Sequence, residues 1–144
     1  MSKYSLPHIF VLIVILFCSA SCAMCKNPVL KGTKWIAVEK TFVADAGTMT
    51  ITHTLEFTSA KDVMVRERSY LPEHPAMYMN ADGTVTRIPA SESESEFAGT
   101  YKYRRGNLTV TDEEGSEALY FYKNDGTFVR LGHFEELVFS RVEE

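Results

Sequence analysis

Between Thr48 and Thr58 the chain alternates without a break: Met49, Ile51, His53, Leu55 and Phe57 on one side, Thr48, Thr50, Thr52, Thr54, Glu56 and Thr58 on the other. Successive side chains of a strand point to opposite faces, so a period of two gathers the first set on one face and the second on the other. A helix would scatter both sets around its circumference. The segment is therefore read as a strand with one dry and one wet face, the pattern antiparallel sheets permit. No stretch after Lys31 sustains the 3.6-residue period of an amphipathic helix, while β-branched and aromatic residues recur in short runs broken by Gly, Asn and Asp. Strands are expected at Trp35 to Ala44, Thr48 to Phe57, Val63 to Tyr70, Met77 to Met79, Thr84 to Ile88, Phe97 to Arg104, Asn107 to Thr111, Leu119 to Lys123, Thr127 to Leu131 and Glu136 to Val142.

Turn chemistry supplies registers. Ala81-Asp82-Gly83, Arg105-Gly106-Asn107 and Asn124-Asp125-Gly126 suit tight hairpins, because Gly and Asn tolerate the positive φ such turns need. A turn centred on Ala60 sets Phe57 opposite Val63, Leu55 opposite Val65 and His53 opposite Glu67. A turn at Arg105-Gly106 sets Tyr101 opposite Val110 and Tyr103 opposite Leu108. Around Asn124-Asp125-Gly126 a two-residue loop would bury Tyr120, Tyr122, Val129 and Leu131, and a three-residue loop Leu119, Phe121, Val129 and Leu131. The three-residue loop is the expectation.

Eight to ten short meandering strands must hide their edges, and closing the sheet on itself does so completely. The expected fold is all-β, a small antiparallel up-and-down barrel over residues 32–144, with a two-sheet sandwich as the alternative. A chain of 144 residues suits one such domain. Nineteen acidic against fifteen basic side chains leave a net charge of -4, which offers no basic surface to a phosphate backbone, so nucleic acid is not an expected partner.

Ahead of this domain, Lys3 and the unbroken apolar run Ile9 to Phe17 precede the small residues Ser19, Ala20 and Ser21, the pattern of a secretory signal peptide over residues 1–21. Nine residues rise only about 14 Å as a helix, well short of a bilayer core. The small residues before Cys22 resemble the lipobox of bacterial lipoproteins, although Ser19 stands where that family usually has Leu. The resemblance implies that Cys22 is acylated and tethers the protein to a membrane through residues 22–31, placing it in the cell envelope, at the outer membrane or in the periplasm. The alternative is release as a soluble secreted protein. With Cys22 acylated, Cys25 would be the only free thiol of the exported chain, and Cys22-Ala23-Met24-Cys25 lacks the βαβ context of a redox motif.

Gly32-Thr33-Lys34-Trp35 at the mouth of the first strand, with Arg141 on the last, resembles the calycin arrangement of lipocalin-like barrels. That resemblance implies an indole at the closed end with a basic side chain of the final strand packed over it, with Gly32, Trp35 and Arg141 as the matching positions. Two residues rather than one separate Gly32 from Trp35. From Leu30 through Phe97-Ala98-Gly99-Thr100-Tyr101 and Leu108-Thr109-Val110 to Leu137-Val138-Phe139-Ser140-Arg141, the chain is similar to small lipocalin-like lipoproteins of the Bacteroidetes type.

His53 is the one polar residue on the apolar face of its strand, and its expected cross-strand partner is Glu67. The pair reads as the polar anchor of an otherwise apolar pocket, or as a core pair that fixes register. Tyr101 and Tyr103 are the further inward side chains assigned to a ligand site. No nucleophile elbow or other recognisable catalytic arrangement is present, so an enzyme is not expected. His53, His74 and His133 lie far apart without ligand-like spacing, and neither a metal nor a cofactor is expected. Asp112-Glu113-Glu114 and the Ser91 to Glu96 run read as solvated loops, and Pro72 to Pro75 as a rigid one. The functional expectation is an exported, lipid-anchored barrel that binds a small, partly apolar ligand. The alternative is a filled barrel serving as a non-catalytic interaction or accessory subunit alongside an envelope protein.

Overall fold

The computed structural model describes residues 27–131 and 136–143. The signal segment, Cys22 and His133 lie outside the described residues. Ten strands are β1 (Lys34–Val43), β2 (Gly47–Phe57), β3 (Asp62–Leu71), β4 (His74–Met79), β5 (Val85–Ile88), β6 (Ser91–Arg104), β7 (Asn107–Thr111), β8 (Glu117–Tyr122), β9 (Phe128–Leu131) and β10 (Glu136–Arg141). Eight close into an antiparallel barrel in the order β1-β10-β9-β8-β7-β6-β3-β2. The ring excludes the sandwich and has the architecture that the calycin resemblance implies. The meander is interrupted once, because β4 and β5 pair only with each other and β3 joins β6.

Both expected hairpin registers are present. Phe57 faces Val63, Leu55 faces Val65 and His53 faces Glu67. Tyr101 faces Val110 and Tyr103 faces Leu108. Trp35 and Arg141 are direct partners across β1 and β10. Directly opposed residues share a face, so the inward set propagates around the ring: Tyr101 and Tyr103 carry Leu108 and Val110 inward, and these carry Tyr120 and Ala118.

That propagation corrects one expectation. The loop at Asn124-Asp125-Gly126 has the three-residue register, with Phe121 opposite Val129, but the face it buries is the other one. Tyr120 and Phe128 are buried, while of the expected set Leu119, Phe121 and Leu131 are exposed and Val129 alone is buried. The β6–β7–β8 pairing fixes which face of β8 points inward, a constraint no hairpin read alone contains. Three boundaries also move. The Ser91–Glu96 run, expected as a loop, is the first half of β6 and pairs with β3. Pro72 to Pro75 was likewise expected as a loop, yet His74 and Pro75 open β4. Leu30, expected in the tether, is 5% exposed and belongs to the core.

The core fills one end of the barrel with aromatic side chains. Trp35 and Phe128 meet edge to face at 4.8 Å, as do Phe57 and Tyr101. Burying a side chain of this size contributes roughly 1.5–3 kcal/mol. The indole needs a partner for its N–H, and Trp35 Nε1 donates to Thr33 Oγ1 at 2.8 Å, whose hydroxyl donates to the Leu30 carbonyl at 2.6 Å. Gly99 allows β6 and β7 to approach closely, for a Cβ there would stand 2.8 Å from the Thr111 carbonyl oxygen. The floor of the barrel is therefore dry and tightly packed.

Candidate functional site

The long strands outrun the short ones. β1, β2, β3 and β6 have 10, 11, 10 and 14 residues, whereas β7 to β10 have 5, 6, 4 and 6. The register of β1 with β10 covers Trp35 and Ile36, and β6 meets β7 from Thr100 onward. Past those points β1, β2, β3 and the first half of β6 continue as an overhanging four-stranded sheet. Its inward-facing residues continue the barrel's inner wall.

On the outer face, Arg66 holds Glu94 at 3.1 Å and Glu96 at 3.0 Å, and Arg68 holds Glu92 at 2.7 Å. The inner face carries the serines between those glutamates. Ser69 and Ser93 hydroxyls are 2.7 Å apart, and Ser95 stands opposite Glu67. The Ser/Glu alternation of Ser91–Glu96 is thus a period-two strand signal written in polar letters.

Where the overhang meets the ring lies a cavity of about 210 Å³. Leu55, Val65, Phe97, Ala118 and Phe139 form its apolar wall, and His53, Glu67, Ser95, Tyr120 and Arg130 its polar one. His53 is held on both edges. Its Nε2 is 3.3 Å from Glu39 Oε2 in hydrogen-bonding geometry, and its Nδ1 is 3.4 Å from Glu67 Oε2. A neutral imidazole donates from one nitrogen and a protonated one from both. The carboxylates approach opposite edges of the ring, so the three groups do not converge on one point as ligands of a metal ion would. The Phe139 ring packs against the imidazole at 6.4 Å and against Tyr120 at 5.4 Å.

Opposite this acidic edge stands a cation. Arg130, inward on β9, carries its guanidinium carbon 5.9 Å from the centre of the Tyr120 ring. Burial pushes the Tyr120 phenol above its ordinary range, and the Arg130 charge works against that shift. Among the described residues no carboxylate lies within ion-pair distance of Arg130.

The sequence-derived site residues divide. His53 and Glu67 reach the cavity. Tyr101 and Tyr103 do not line it: Tyr101 donates to the Ser59 carbonyl at 3.1 Å near the opposite end, and Tyr103 packs on Tyr122 and Phe128 in the core. Arg141 lies at the closed end with Gly32, beside the first strand's entry. Glu39 and Arg130 were missed. Alternation carried forward from Trp35 finds the first, and alternation carried from Phe128 finds the second once that face of β9 is known to point inward. Comparison of the chain with family models, with curated proteins and with solved structures finds no match in any of the three.

Proposed function

We propose that the protein is an exported, lipid-anchored, non-catalytic barrel of the lipocalin-like bacterial lipoprotein kind, and that it binds a small, partly apolar molecule at the mouth of its barrel. One observation carries the reading: a cavity of about 210 Å³ combines an apolar wall with a few convergent polar groups, His53, Glu67 and Arg130 among them. Ligand sites have this composition, whereas a filled barrel has none to spare. The volume lies below the roughly 300–1,000 Å³ of drug-sized sites, which suits a single ring or a short chain. Acylation of Cys22 would hold the barrel at a membrane surface, since two or three acyl chains anchor stably.

The test is intact mass under native and denaturing conditions, on protein purified gently from its own host. The expected result is a defined small-molecule mass that is lost on denaturation, with a lipid increment on Cys22 that persists. A bare native mass overturns the binding reading.

The outer wall of β8 to β10 favours a second reading, an accessory subunit acting through its surface. Leu119, Phe121, Leu131 and Val138 are exposed there, and Phe121 and Val138 flank the buried Val129 across the ladder. A bare native mass together with a defined higher-order species that Phe121→Lys dissociates would transfer the assignment to this strip.

A further inference from the structure

Resting on the cavity as a ligand site, we infer that its ligand is a small carboxylate with an apolar body, its carboxylate received by Arg130. The inference begins with charge balance inside the cavity. Glu39 meets one edge of the His53 imidazole in hydrogen-bonding geometry, and Glu67 lies 3.4 Å from the other. Arg130 has no carboxylate partner among the described residues, and its neighbour is Tyr120, whose ring face it overlies and whose phenol oxygen it also reaches. A half-buried guanidinium presents five N–H donors, and one phenol oxygen and a ring face leave most of them and most of its charge for another group. A planar carboxylate fits the guanidinium fork in two parallel hydrogen bonds, which is the geometry that makes such contacts strong.

The remaining wall fixes the rest of the ligand. Phe97, Val65, Leu55, Ala118 and Phe139 offer hydrocarbon and ring faces, and Ser95 a single hydroxyl. A second anionic group on the ligand would meet the Glu67 side of the cavity, where like charge opposes it. The ligand is therefore a monoanion, and its far end is apolar or carries a hydrogen-bond donor toward Glu67. At about 210 Å³ the space suits an arylcarboxylate or a short-chain fatty acid and excludes a long acyl chain from full burial.

The experiment titrates the ¹⁵N-labelled protein with benzoate and hexanoate, and with the neutral isosteres benzamide and hexanamide, following the Arg130 Nε–H and the Ala118 amide by NMR. The expected result is saturable binding of the carboxylates, with the amides weaker by about tenfold or more, the size of a charge-assisted contact. Arg130→Gln should abolish that discrimination, and Arg130→Lys should restore part of it. Because the carboxylate-to-amide comparison is made on the unaltered protein, it stands even where Arg130→Gln misfolds. Amides that bind as tightly as the acids would overturn the assignment of charge while leaving the cavity as a binding site. Failure of all four probes to bind would overturn the inference together with the reading it rests on.

Discussion

The two ends of strand β2 obey the same alternation and do opposite things. At its C-terminal end Phe57 and Leu55 are 0% and 1% exposed, enclosed by Val63, Tyr101 and the floor of aromatic rings. Two and four residues earlier on the same face, His53 and Ile51 are only partly buried, and the face becomes the wall of a cavity. The local pattern is continuous and the burial is not, because β7 to β10 stop where the long strands go on. Stability therefore belongs to the closed end. The open end is released to hold groups a core would reject, namely two carboxylates, an imidazole and a guanidinium.

The largest expected effect breaks or upholds that division directly. Phe57→Ala should cost about 3–5 kcal/mol, since a fully buried ring leaves a cavity that the rigid floor cannot collapse into. Met49→Ala, on the same face at the open end, should cost about 1 kcal/mol or less. Urea midpoints at constant m measure both, and equal losses would mean the overhang is as much core as the floor. The Trp35–Thr33–Leu30 relay sharpens the same point. Thr33→Val conserves shape but leaves the buried indole N–H without an acceptor, for an expected loss of about 1–3 kcal/mol. A loss within a few tenths of zero would show that the floor has room for a water.

At the open end the expected stability effects are smaller and pairwise. A double-mutant cycle on His53→Ala and Glu39→Gln should give a coupling of about 0.5–1 kcal/mol, and the His53 and Glu67 cycle a smaller one. Glu39 is the more buried partner, with its side chain 26% exposed against 52% for Glu67, so solvent screens it less. Additive losses in both cycles would remove the polar cluster as a unit. Coupling stronger through Glu67 would place the anchor nearer the rim.

What was legible from residues follows the same division. The alternation of β2 and the turn at Ala60 are local, and they located the His53–Glu67 pair and the registers of the closed end. Arg130 and Glu39 required a chain of inferences through neighbouring strands, because a strand's inward face is decided by the partner that pairs with it. Leu119, Phe121 and Leu131 are the more apolar choice for the interior, yet the barrel turns Tyr120 and Phe128 inward, since Leu108 and Val110 across the ladder were already committed. Ser91–Glu96 escaped for another reason. Its alternation carries no hydrophobic contrast, and its place in the sheet depends on Arg66 and Arg68, more than twenty residues away.

The smallest effect compares two turns with one chemistry. Asp82-Gly83-Thr84 and Asp125-Gly126-Thr127 close matching three-residue loops, each with Gly at positive φ and the Asp carboxylate accepting from the Thr hydroxyl at 2.6 Å and the Thr N–H. Both carboxyls are held below their ordinary range, first by that hydroxyl and then by the backbone N–H. A carboxyl whose folded value lies below its unfolded one contributes stability above the unfolded value, and that contribution disappears as pH falls through the folded value. Asp125 joins β8 to β9 inside the ring, so Asp125→Asn should lower Tm slightly at neutral pH and make the loss of Tm below about pH 4 less steep. Asp82 closes the β4–β5 hairpin, which pairs with nothing else in the barrel. Asp82→Asn should leave Tm and its pH slope unchanged while speeding amide exchange at Asn80 and Thr84. An equal shift of Tm from both variants would mean that the hairpin unfolds with the barrel, and would extend the cooperative unit beyond the closed ring.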